Sequence, residues 1–153
     1  MAAILLFRIA NFALPPTVRE DVSQTMWIRY LLGALLAFGA INAFAGGYYG
    51  LSGAAGVPLE WLAGSPFQNY FIPSLILFIV VGGAFSFAAV AVFARFRLAR
   101  VTALAAGTVV LVWIAMQLAI IGHVSWMQPA TLFAGILVLI LAWLMPPSDK
   151  VGS

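Results

Sequence analysis

Formal charge is nearly missing from most of this chain. Between Tyr30 and Ala94 the only charged residue is Glu60, and from Val101 to Ser148 there is no Asp, Glu, Lys or Arg, the run containing the single histidine, His123. Carrying a charge into hydrocarbon costs several kcal/mol, and a run of about 20 apolar residues is long enough to cross a bilayer. The gaps between charges therefore mark membrane-spanning segments, and a chain of 153 residues that is 65% hydrophobic and 7% charged is not an ordinary soluble domain. Cysteine is absent, which excludes disulfides, thiolate catalysis, iron–sulfur ligation and covalent haem attachment through Cys. No glycine loop followed by Lys cradles a phosphate, because Gly46-Gly47 and Gly82-Gly83 fall inside apolar runs.

What is present organises into four spans. Thr17-Val-Arg-Glu20 has the form of a capping box after Pro15-Pro16, so a helix starts there and runs through Met26 into a first span over 27–49. Trp27 and Tyr30 at one end, and Tyr48 and Tyr49 at the other, belong at the two water interfaces. The stretch from Gly50 to Phe71 is glycine-rich and too broken to cross; it reads as a structured loop with one short helical turn near Pro58-Leu59-Glu60-Trp61-Leu62. Ser65-Pro66-Phe67-Gln68 then carries the pattern of a second capping box, with the second span following over 72–94. Arg95, Arg97 and Arg100 form a short basic turn, the third span covers 101–121, and the fourth covers 129–145 before Pro146-Pro147 stops it. The fourth is the shortest and is expected to borrow Trp126 and Met127 to reach the interface.

Three regions follow: an N-terminal cytoplasmic or interfacial segment over 1–26, a four-helix transmembrane domain over 27–145, and a cytoplasmic tail over 146–153. Met1–Leu14 lacks the basic start, clean apolar run and small-residue cleavage site of a signal peptide. It reads either as an interfacial segment or as an upstream extension with Met26 as the working start. Arg8, Arg19, Arg29, Arg95, Arg97, Arg100 and Lys150 all fall on one side of this arrangement, and the other side has no Lys or Arg. By the positive-inside rule both termini are cytoplasmic, and the net charge of +3 is an orientation signal rather than a nucleic-acid footprint. The fold class is all-α, an up-down-up-down integral membrane four-helix bundle with a structured first outer loop.

Small residues recur at four-residue spacing: Gly39, Ala43 and Gly47; Gly82 and Ser86; Ala99, Ala103 and Gly107. Such ladders let helices approach closely, either within the bundle, the preferred reading, or across a homo-oligomer face. Ser65-x-x-Gln68 and Ser125-x-x-Gln128 echo one another; two independent helix starts are preferred over a duplicated hairpin.

Polar residues at membrane depth narrow the search for a site. Asn42 lies about 10 Å below the outer end of the first span, and Gln117 about one turn below that of the third with Trp113 at i−4. Each is costly against lipid, so both are expected to face the bundle interior, where they either fix packing or floor an outward-facing pocket. Above them lie Glu60, Trp61, His123 and Gln128, with Trp61 and Phe67 as apolar anchors of a loop acting as a lid. A carboxylate and an imidazole within reach could shuttle a proton or hold a headgroup. One histidine and one acid do not make the three or four ligands of a zinc or copper site, and no metal site is predicted.

A first span opening with Arg29-Tyr-Leu-Leu-Gly33, an outer loop containing Gly56-Val57-Pro58, and Gly82-Gly83 in a second span before a short basic turn together resemble the small bacterial four-helix membrane proteins of the DoxX-like kind. The likeness extends over about residues 29–143 by order of elements. It implies a bacterial cytoplasmic membrane location. Where that family often carries an acidic residue, at the start of the second span, this chain has Ile72-Pro73-Ser74. Three functions remain open: a non-enzymatic accessory or assembly subunit or lipid-interacting module; a binder or carrier of a small apolar or amphipathic molecule, a quinone or a lipid; and, third, an enzyme only if Glu60 and His123 are adjacent. The expected partners are membrane lipids and either a second copy of the chain or a larger membrane complex.

Overall fold

A computed structural model describes residues 16–123 and 125–146, all-helical with no strand among them. The N-terminal segment before Pro16 and the tail after Pro146 lie outside the described residues, as do the side chains that would form the Thr17–Glu20 capping box. Helix α1 runs Pro16–Leu51, 36 residues. Helix α2 runs Phe71–Phe93, helix α3 Ala99–Ile121 and helix α4 Met127–Leu144. All four are long and apolar enough to cross a membrane, α1 from Val22 onward.

The helix ends follow from local chemistry. Trp126 and Met127 do extend the fourth helix outward, with Trp126 as its cap, and Pro146, which has no N–H, follows its last turn. At the start of α2 the outcome differs from the capping box expected at Ser65. The helix begins only at Phe71, where the Asn69 side-chain oxygen accepts the Phe71 N–H at 3.0 Å. Ser65 instead closes a local turn, accepting the Phe67 N–H at 3.2 Å. Asn69 is simply closer to the first helical N–H groups than Ser65 is.

The helices close into a ring in which α1 packs on α2 and α4, and α3 packs on the same two. Consequently α1 and α3 are diagonal. The small residues supply the seams. A Cβ added at Gly33 would strike the Phe93 ring, at Gly39 the Phe85 ring, at Gly47 the backbone of Phe78 and at Gly50 the Ser74 hydroxyl. The falling partner numbers show α1 and α2 running antiparallel. Gly107 against Val138 and Leu139, and Gly135 against Val110 and Leu111, show the same for α3 and α4. Ala43, Ala99 and Ala103 are buried along these seams. The ladders are therefore used within the chain, as the packing reading expects.

In the middle of α2, residues Leu77–Gly82 widen into a π-helical turn level with this seam. The Phe44 ring lies against Gly82 and meets the Phe78 ring edge-on at 4.8 Å between centroids. Side chains buried without exposure, such as Leu32, Leu36, Ala88, Val92, Ala103 and Val138, concentrate toward the end carrying the basic turn.

Outward-facing aromatics bracket the apolar belt. Tyr30 and Tyr48 on α1, and Trp126 and Trp143 at the ends of α4, are all exposed. Their sequence separations correspond to about 27 Å and about 26 Å at helical rise, close to the ~30 Å hydrocarbon core of a bilayer. At one end of this belt the Arg100 guanidinium lies 5.1 Å over the Trp143 ring, a cation–π contact that ties the start of α3 to the end of α4.

Candidate functional site

The loop between α1 and α2 is built as the sequence requires of a segment with no span to occupy. Gly53, Gly56 and Gly64 have positive φ, and Ala54, buried with φ 48, completes a tight reversal after α1. Two tyrosines tie the loop to the helices: the Tyr49 hydroxyl donates to the Ala55 carbonyl, and the Tyr70 hydroxyl donates to the Pro58 carbonyl at 2.6 Å. Desolvation by burial raises the Tyr70 pKa above the ordinary tyrosine value. Between the ties, Leu59–Leu62 forms one 3₁₀ turn packed on the end of α3.

The anchor of that turn is Leu62, which is buried, and not Trp61, which is exposed. Phe67, the other expected anchor, is half-buried. In a turn of four residues the apolar pattern Leu-Glu-Trp-Leu does not specify which side chain points down.

Asn42 corrects the second expectation. It is exposed on the outside of the bundle, and its amide donates to the Phe38 carbonyl of its own helix at 2.8 Å. The buried stripe of α1 runs through Leu32, Leu36, Ala40, Ala43, Gly47 and Gly50, so Asn42 is one residue, about 100° of helix, off that stripe. Gln117 is half-buried on α3, diagonal to α1, and Trp113 one turn away packs against the apolar core. The two amides do not converge. Replacing Asn42 by Leu is therefore expected to change stability by less than about 1 kcal/mol, since no interhelical bond is lost. Thermal unfolding in detergent checks this, and a loss above about 2 kcal/mol would reveal an interhelical partner.

Gln128 has a structural assignment. It is 5% exposed, its Oε1 accepts the Ser125 N–H at 3.3 Å, and its Nε2 donates to the Gly122 carbonyl at 3.1 Å. The Ser125 hydroxyl accepts the Met127 N–H at 3.3 Å, so Ser125 is tied to the first residues of α4 through both its hydroxyl and its main-chain N–H. Gln128 thereby clasps the connection between α3 and α4, with Gly122 at φ 70 making the turn. Ser65 and Gln68 are not linked by a side-chain bond of the Ser125–Gln128 kind, so the Ser-x-x-Gln echo has no structural counterpart.

Glu60 and His123 are both exposed, and neither side chain enters a hydrogen bond or ion pair among the described residues. No group of three or more His, Cys, Asp or Glu that could hold a metal occurs among them either. The tyrosine ties and the Asn69 side-chain bond to the Phe71 N–H escaped the sequence reading; Tyr49 and Tyr70 flanking a glycine-rich loop were the available signal.

Fold and span chemistry together define a four-helix bundle of membrane-crossing dimensions. No family model, no curated protein and no solved structure matches the chain.

Proposed function

We propose that this chain is a non-enzymatic membrane module that interacts with lipid and serves as an accessory or assembly subunit, with both termini on the cytoplasmic side of a bacterial membrane. The observation that carries this reading is how polar groups within the spans are satisfied. Asn42, Thr102, Thr108 and Thr131 each donate to a carbonyl of their own helix, at 2.8–3.0 Å. A catalytic or transport site needs polar groups that converge on a substrate or cavity, whereas these are spent on their own backbones. Orientation is supported by the Lys and Arg distribution, and the bacterial setting by the DoxX-like order of elements.

The second reading, a carrier of a quinone or other amphipathic molecule at the loop end, is favoured by one observation. Gln117 and Trp113 are half-buried on α3 where fully buried side chains thin out. Organic extraction of the purified protein separates the two. The module reading expects phospholipid alone in the extract, and a quinone recovered at about one per chain would replace it with the carrier reading.

A further inference from the structure

The basic turn between α2 and α3 is more specialised than an orientation signal requires. The Phe96 N–H bonds to the Ala91 carbonyl at 2.9 Å and the Arg95 N–H to the Val92 carbonyl at 3.3 Å. These are the paired bonds of a Schellman motif, in which the residue at the Arg95 position adopts the left-handed conformation and is usually glycine. Here Arg95 adopts it, at φ 58, with the steric cost that a Cβ brings. The strained position keeps a guanidinium where glycine would sit more easily.

Beside it is a groove of about 790 Å³ lined by Phe87, Ala91, Phe96 and Leu98, with Arg95 and Arg97 at its rim. Phe87 and Ala91 are one turn apart on α2 and inside its span, so whatever fills the groove enters hydrocarbon while its head meets the arginines. Phe87, Phe96 and Leu98 are exposed. Arg100 lies over Trp143, and Arg29 reaches the Val92 carbonyl at 3.5 Å.

We propose that this groove is a binding site for an anionic phospholipid, its phosphate held by Arg95 at the rim and one acyl chain lying along Phe87. Guanidinium is suited to this because its planar fork donates two parallel bonds to phosphate oxygens. The proposal rests on the membrane-module reading and gives it a lipid class.

The test uses the full chain reconstituted in vesicles of equal dioleoyl-phosphatidylglycerol and dioleoyl-phosphatidylcholine, then solubilised in mild detergent for native mass spectrometry. Retained phosphatidylglycerol should exceed phosphatidylcholine at least fivefold. Arg95→Gly should bring the ratio within twofold of parity without lowering the thermal midpoint, since glycine suits the left-handed position. Arg95→Asn, also tolerant of positive φ, should do the same. Arg100→Gln removes the same charge outside the groove and should leave the preference intact. Parity in the unaltered protein, or equal losses in Arg95→Gly and Arg100→Gln, would overturn the site. A protein that fails to float with phosphatidylcholine vesicles would sink the membrane reading itself, a separate outcome from floating without lipid preference.

Discussion

Alanine at Gly47 should destabilise the bundle by about 1–3 kcal/mol, and leucine there by more than about 3 kcal/mol, while Gly83→Ala should be neutral or stabilise it by up to about 1 kcal/mol. The contrast comes from what each new Cβ meets. At Gly47 it would lie 2.7 Å from the Phe78 Cβ and 3.0 Å from both the Phe78 Cα and N. A main chain cannot swing aside as a side chain can, so α1 and α2 would have to separate. That separation would also disturb the edge-on Phe44–Phe78 pair and the π-helical turn beside it. At Gly83 nothing lies within 4 Å, and alanine gains helix propensity without a clash. Thermal unfolding in detergent, followed by circular dichroism, measures both. Equal effects at the two glycines would mean that the α1–α2 seam is not packed as described.

The second large effect belongs to the α3–α4 connection. Gln128→Ala removes both the acceptor for the Ser125 N–H and the donor to the Gly122 carbonyl from a nearly buried position. Each unpaired buried group costs about 1–3 kcal/mol, and water reaching this end of the bundle offsets part of that. We therefore expect a loss of about 2 kcal/mol. Gln128→Glu keeps the acceptor and loses the donor, and should fall between the two. Gln68→Ala, in the look-alike segment before α2, should cost less than about 0.5 kcal/mol because Gln68 is exposed. Denaturation of the three variants under one condition checks the order. Similar losses at Gln68 and Gln128 would restore the duplicated-hairpin reading.

The four spans were legible because their signal is thermodynamically coarse. An uncharged apolar run of some twenty residues has few alternatives to crossing a bilayer, and the limits of the second, third and fourth spans agree within two residues, while the first begins five residues earlier, at Val22. The small-residue seams were legible for a related reason, since membrane helices associate by close packing and Gly39, Ala43 and Gly47 recur on one face. Finer features were lost where two local solutions compete. Hydropathy places Asn42 inside on the premise that lipid offers an amide no partner, yet the amide reaches back four residues to the Phe38 carbonyl and meets its need from outside the bundle. Ser65-x-x-Gln68 and Ser125-x-x-Gln128 are the same pattern, but Asn69 intervenes at the first and nothing intervenes at the second. The π-helical turn has no distinctive sequence signature, and the left-handed residue after α2 is an arginine where pattern reading would look for glycine. The candidate site suffered most, because a convergence of side chains depends on helix phase, and a single residue's error turns a side chain through about 100°.

We propose that the chain crosses the membrane four times and returns both ends to the cytoplasmic side. Single cysteines at Ser52, in the tyrosine-tied loop, and at Ser148, in the tail, test it directly because the chain has no cysteine of its own. In intact cells a membrane-impermeant thiol reagent should label Ser52→Cys and leave Ser148→Cys unlabelled until the membrane is opened. Labelling of both from outside, or of Ser148→Cys alone, would contradict the account.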